Sequence, residues 1–216
     1  THPGREMAMA ADGTYPVAYA PSAVPNERFH VMPREMPLLL INEIIQGFEA
    51  SAAHMCKAGL DGVEIVASHG YLLGQFLNPN INRRSDAYGG SRAGRMQFLQ
   101  EAIAATRRGA GEDMILGVRL SGEEKDHDGT GLGEMLEVCA ALDANPALDY
   151  LNVTAGTSAG LAGSTHIVPP MAYEVAYTAP IAAAIKARVS KPVFVAGRIN
   201  QPQAAAAVLQ SGQADM

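Results

Sequence analysis

The chain has 216 residues, 48% of them apolar and 18% charged, with a formal net charge of −6. That length suits one domain or part of one, and that balance suits a globular protein with a packed core. Lys and Arg form no basic block, which argues against nucleic acid as a partner, and no apolar run approaches the ~18 residues that cross a bilayer.

Residues 1–37 are rich in Pro, Gly and small side chains and are expected to form a long loop. Within it, Pro21-Ser22-Ala23-Val24-Pro25 should be extended, because proline disfavours helical backbone in the preceding residue. Leu38, Ile41, Ile44, Ile45, Phe48, Ala52, Met55 and Cys56 then recur every three to four positions, which predicts a helix with one apolar face, ended by Gly59. A short strand follows over 62–66, and a polar, glycine-containing excursion over 67–90. The next helix should start on Ser91 as N-cap and bury Met96, Leu99 and Ile103. Strands are predicted over 115–120, 150–154 and 192–196. Helices are predicted on Leu132, Met135, Val138, Cys139 and Leu142, over 180–189, and from Pro202 to about Ser211.

Strand and helix thus alternate four times without a hairpin signal, the pattern of an α/β protein with a parallel sheet. Two architectures fit, a doubly wound sheet and a (β/α)8 barrel; the first is weakened because no strand leads into G-x-G-x-x-G. Cys56 and Cys139 lie inside helical patterns and are expected to be buried thiols in a reducing compartment, with no C-x-x-C pair for a metal or cluster. No basic stretch leads into a short apolar one, so a cytoplasmic location is expected. The chain opens at Thr1 and stops at Ala214-Asp215-Met216, where an apolar strand-like run begins; it is expected to be a piece of a longer protein.

In a barrel the chemistry sits where strands end. His69 and Tyr71 follow the strand over 62–66, beside Gly70; together they can hold a polar group and move a proton, or simply make loop hydrogen bonds. Arg119 is a cation in an apolar strand and shares a side with Gly117, which leaves room around it. Its partner is either a bound anion or a carboxylate of the neighbouring strand. Gly197-Arg198 ends the last strand before a helix, a place suited to a phosphate, or to a solvated arginine in a turn. The residues alone lead to a barrel enzyme with an anionic cofactor or substrate.

Longer motifs then match a family. Gly62-Val63-Glu64-Ile65, His69-Gly70-Tyr71-Leu72-Leu73-x-Gln75-Phe76-Leu77-x-Pro79 and Asn82-x-Arg84-x-Asp86-x-Tyr88-Gly89-Gly90-Ser91 resemble the long signature of old yellow enzyme relatives, the NADH:flavin oxidoreductases. Thr1-His2-Pro3-Gly4-Arg5 resembles the H-x-G-R element after their third strand; Gly117–Ser121 and Val195–Asn200 resemble two further elements. The resemblance implies a single FMN-binding domain over 1–216, incomplete at both ends: a partial (β/α)8 TIM barrel carrying strands four to seven of eight. It implies that Arg119 faces the flavin pyrimidine near N1 and O2, where a fixed cation stabilises the charge that hydride arrival at N5 creates. It further implies that Gly197 and Arg198 hold the FMN phosphate, that Tyr71 lies over the flavin as proton donor or orienting phenol, and that His69 contacts the substrate.

Many ene-reductases of the family carry His where this chain has Val66, and an apolar side chain cannot donate to a developing enolate. The pattern is more similar to the long members, namely dienoyl-CoA reductases, trimethylamine dehydrogenase and N-methylproline or betaine demethylases. These carry a 4Fe-4S cluster and a second nucleotide-binding domain in a C-terminal part. Ser164–Met171 resembles the N-methylproline demethylase type, which implies oxidative N-demethylation, with Tyr71, Tyr173 and Tyr177 as candidates to line an amine pocket. Reduction of a conjugated C=C is the alternative. A flavin-free aldolase or isomerase gripping a phosphorylated substrate through Arg198, and an inert half-barrel, also stay open. The expected partner is a small-molecule substrate, with further copies of the chain as an open alternative.

Overall fold

The computed structural model describes residues 2–14 and 16–216. Thr1, which opens the H-x-G-R element, and Tyr15, in the expected loop, lie outside the described residues. The loop before the first helix is largely irregular, but it contains two short strands that composition did not predict: β1 (Tyr19–Ala20) and β2 (Arg34–Glu35), paired in parallel. In chain order there follow α1 (Leu38–Lys57), β3 (Gly62–Ala67), α2 (Leu72–Leu77), α3 (Arg92–Ala110), β4 (Ile115–Glu123) and α4 (Leu132–Asp143). The chain continues through β5 (Tyr150–Ala155), α5 (Leu161–Ser164), α6 (Ala179–Lys186), β6 (Val193–Val195) and α7 (Pro202–Gln210).

The strands β3-β4-β5-β6 form one sheet in sequence order, every pair parallel. A doubly wound sheet reverses its strand order at a switch point; this one runs on without reversal, as an arc of a (β/α)8 barrel does. Beside β6, Asp215 N–H donates to the Val193 carbonyl (2.7 Å) and Val195 N–H to that of Met216 (2.9 Å), so the strand-like run read at the end of the sequence does pair like a strand.

Side chains alternate along each strand and sort the sheet into two faces. Ile65, Leu116, Val118, Leu120, Leu151, Val153 and Val193 belong to one core with Leu99 and Ile103 of α3, Val138 and Leu142 of α4, and Ile185 of α6. The other face carries Glu64, Val66, Gly117, Arg119, Tyr150, Asn152 and Phe194, in the register Glu64–Gly117–Tyr150 and Val66–Arg119–Asn152–Phe194.

Most boundaries follow local chemistry. Ser91 caps α3 by accepting from the Gly94 N–H (3.1 Å), and Met96, Leu99 and Ile103 are buried as expected. Gly59 sits just past α1 at φ 77°, a left-handed conformation that ends helices and suits glycine. Two expectations need correction. The 67–90 excursion contains α2, all six residues of which are buried. Its Phe76 meets Phe98 of α3 edge to face at 4.8 Å, a tertiary contact that stabilises a helix too short to stand alone. On α1, Ile41 and Ala52 are buried, yet Leu38, Met55 and Cys56 are exposed, because α3 covers only part of the apolar stripe. Cys139 is buried as expected, and burial pushes its thiol up to about 12.

Candidate active site at the strand ends

The chain leaves β3 through two successive residues with left-handed backbone, His69 at φ 60° and Gly70 at φ 75°. At Gly70 a Cβ would strike the Thr157 hydroxyl, so glycine is required by space as well as by φ. Two neighbouring strand ends stitch the turn in place. His69 N–H donates to Ser121 Oγ (2.9 Å), whose hydroxyl donates to the Gly156 carbonyl (2.8 Å). Ser158 N–H donates to the His69 carbonyl (2.9 Å). The imidazole is half-buried, and its Nδ1 is buried with no partner among the described residues. Burial, helped by the charge of Arg119, holds the ring down at about 4, so His69 is neutral near pH 7. Tyr71 is half-buried at the N-terminus of α2, and its hydroxyl bonds no protein group among the described residues.

Arg119 lies on the polar face of β4. Its Nε donates to Glu64 Oε1 of β3 at 2.7 Å, so the carboxylate-partner alternative is realised. The pairing uses Nε alone: the two terminal nitrogens have no protein partner among the described residues, and the side chain is 37% exposed. Glu64 Oε2 accepts from the Tyr150 hydroxyl (3.0 Å) and from Asn152 Nδ2 (2.8 Å). Burial and the Glu64 carboxylate raise the Tyr150 phenol to about 12. The space expected over Gly117 is taken: a Cβ there would collide with the Tyr150 ring, which lies across the glycine and stacks on Phe194 at 4.3 Å. Asn152 Oδ1 is a buried acceptor without a partner among the described residues.

Gly197 and Arg198 follow β6 at φ 147° and 52°. A Cβ on Gly197 would meet Thr178. The Arg198 side chain has protein partners that the sequence did not reveal: Nε donates to the Tyr173 carbonyl (2.6 Å) and Nη2 to that of Met171 (3.4 Å). The N–H groups of Gly197 and Arg198 donate to no protein group among the described residues. Tyr173 and Tyr177 do not join Tyr71. They pack with His166, ring centroids 4.6 to 5.7 Å apart, and the Tyr177 hydroxyl donates to the His166 carbonyl (2.7 Å).

Behind the 69–71 turn stands a residue the sequence did not single out. Glu6 accepts from Asn26 Nδ2 (2.9 Å) and Ser158 Oγ (3.0 Å), 3.9 Å from the Arg5 guanidinium, and only 1% of its side chain is exposed. Burial raises its carboxyl to about 7 despite the Arg5 charge.

The site can therefore offer a guanidinium anchored at one end and open at the other, a neutral imidazole, a free phenol and a strand-end pair of free N–H groups. A planar, electron-accepting ring with an anionic tail matches this set, and the orphaned Asn152 Oδ1 and His69 Nδ1 are the kind of buried atoms a ligand satisfies. Among the described residues no helix is long and apolar enough to cross a membrane.

Comparison with known proteins agrees with the geometry. A metal reductase of Desulforamulus reducens is 40% identical over 202 residues, 92% of this chain and 29% of that protein. An N,N-dimethylglycine/sarcosine dehydrogenase of Chromohalobacter salexigens is 31% identical over 217 residues, 100% of this chain and 31% of its own. Among solved structures, a 2-naphthoyl-CoA reductase in complex with 2-naphthoyl-CoA superposes with a TM-score of 0.85 at 27% identity, over 97% of this chain and 32% of that one. The chain thus spans about a third of the length of these relatives. A family model described as NADH:flavin oxidoreductase / NADH oxidase matches residues 1–216, and the chain belongs to that family.

Proposed function

We propose that the protein is an FMN-dependent oxidoreductase that moves a hydride between a small-molecule substrate and the flavin, acting on an N-methyl amine of the N-methylproline or betaine type. The observation that carries this is Arg119: fixed at Nε by Glu64, it keeps its terminal nitrogens free on the polar face of the arc, within the electrostatic reach of His69. FMN, when bound, supplies the hydride acceptor, and Arg119 is the cation placed to stabilise charge on its ring. The phosphate is held by the free N–H groups of Gly197 and Arg198, since Arg198 Nε is already engaged. A neutral His69 can hydrogen-bond the substrate without charging, and Tyr71 orients the substrate over the ring.

One observation at the site favours amine oxidation over C=C reduction: Val66 cannot donate to a carbonyl oxygen. One of the relatives is named for N-methyl amine substrates, while the solved neighbour is named for the reduction of an aryl-CoA. Anaerobic stopped-flow separates the two. Bleaching of the flavin by N-methylproline is expected. Absence of bleaching, with reoxidation of the reduced protein by a dienoyl-CoA, would reverse the assignment. A 4Fe-4S cluster and a second nucleotide in further parts of the protein would carry the electrons onward.

A further inference from the structure

The polar network on the barrel face of β3, β4 and β5 has a direction that the Arg119 assignment does not explain. Glu64 uses both carboxylate oxygens, Oε1 on Arg119 and Oε2 on Tyr150 and Asn152. Arg119 is thereby bound through the nitrogen nearest its backbone, which points its terminal nitrogens away from the acid. The Tyr150 ring reaches Glu64 only because residue 117, its register partner on β4, has no side chain. Three strands therefore cooperate to hold one carboxylate against one guanidinium.

We propose that Glu64 is a positioning residue that sets how much positive charge Arg119 presents to the bound flavin, and so sets the flavin's reduction potential, with Tyr150 and Asn152 holding the carboxylate in place. This rests on the reading that Arg119 faces the flavin ring. A negative charge 2.7 Å from Nε offsets part of the guanidinium's field. Removing that charge without removing the acceptor leaves Arg119 a stronger cation, and a reduced flavin beside it becomes easier to form. Tyr150 acts in the opposite sense: its hydroxyl draws charge out of the carboxylate, so its loss leaves more negative charge facing Arg119.

The test is the midpoint potential of the intact, flavin-loaded protein, measured against a reference dye, with FMN stoichiometry recorded for each variant. Glu64→Gln is expected to favour the reduced flavin by about tenfold, a positive shift of about 30 mV for a two-electron couple. Tyr150→Phe, which keeps the stack on Phe194, is expected to shift the potential to the negative side, as is Arg119→Gln. An unchanged or negative potential in Glu64→Gln, alongside a negative shift in Arg119→Gln, overturns the role of Glu64 and leaves Arg119 at the ring. If Arg119→Gln binds FMN stoichiometrically with an unchanged potential, the reading of Arg119 fails, and this inference fails with it. Should Glu64→Gln lose its FMN through misfolding, the sign of the Tyr150→Phe shift decides: a positive or absent shift overturns the proposal.

Discussion

A guanidinium with one nitrogen bound and two free is a different chemical object from one locked in a two-pronged ion pair, and Arg119 is the former. Lysine at this position keeps the charge but loses the Nε anchor and the planar fork. Arg119→Lys should slow flavin reduction by substrate by about 10²-fold, the scale of one lost charge-stabilising donor, as read by anaerobic stopped-flow. Glu6 gives a pH prediction. Its folded value, about 7, lies above the ordinary 4.5, so the native state holds the proton more tightly than the unfolded chain. The stability it contributes is therefore present below pH 4.5 and is lost as pH rises through 7. Glu6→Gln should flatten that slope and raise the stability at pH 8 by at most about 3 kcal/mol, the ceiling set by 1.36 kcal/mol per pH unit. Thermal melts of both proteins at pH 5 and pH 8 check it; equal slopes would contradict the assignment. His69 has the opposite sign. Its value is depressed to about 4, so its contribution is present above 6.5 and fades as pH falls towards 4. These residues were unequally legible. Arg119 stands out in the sequence because a cation interrupts an apolar strand, and His69 and Tyr71 because they follow one. Glu64 and Asn152 carry a weaker form of the same signal, since a lone acid or amide in a strand is ordinary on a solvent face. Tyr150 and Glu6 carry none, because their roles depend on the missing side chain of residue 117 and on a fold-back across the sequence to Ser158.

At the scale of elements, close approach explains glycines that propensity would remove. Gly109 lies inside α3, where alanine is favoured by about 1 kcal/mol. A Cβ there would collide with the Glu49 carbonyl of α1, so Gly109→Ala should instead destabilise the protein by about 1–3 kcal/mol, measured by denaturant titration. A stabilised variant would show that the two helices do not cross so closely. Helices with long periodic stripes, α1, α3 and α4, were readable because period 3.6 survives partial exposure. The six-residue α2 was not, since a single turn and a half leaves no period to count and its stability comes from Phe98. The tail of β4, Ser121–Glu123, was hidden because its polar residues resemble a loop; pairing with Thr154 and Ala155 makes it strand.

The whole molecule is an arc of parallel strands with one face packed under helices and one face polar. Its alternation was legible from sequence, because buried parallel strands read as short apolar runs between helices. Which of two architectures it builds was not, since strand order is a long-range property and only the recovered motifs decided it. In the described structure β3 pairs on one side only, and beside it Leu40, Ile44, Phe48, Met55, Leu60 and Val63 line an open apolar groove. Residues 1–216 alone are accordingly expected to bind FMN weakly in a fluorescence titration, because an uncovered edge and groove leave the site poorly fixed. The most direct test of the account is the flavin content of the intact protein. Purified material should be yellow and release one FMN per chain on denaturation, and FMN should return to the emptied protein on titration. A colourless protein that takes up no FMN would contradict the central claim.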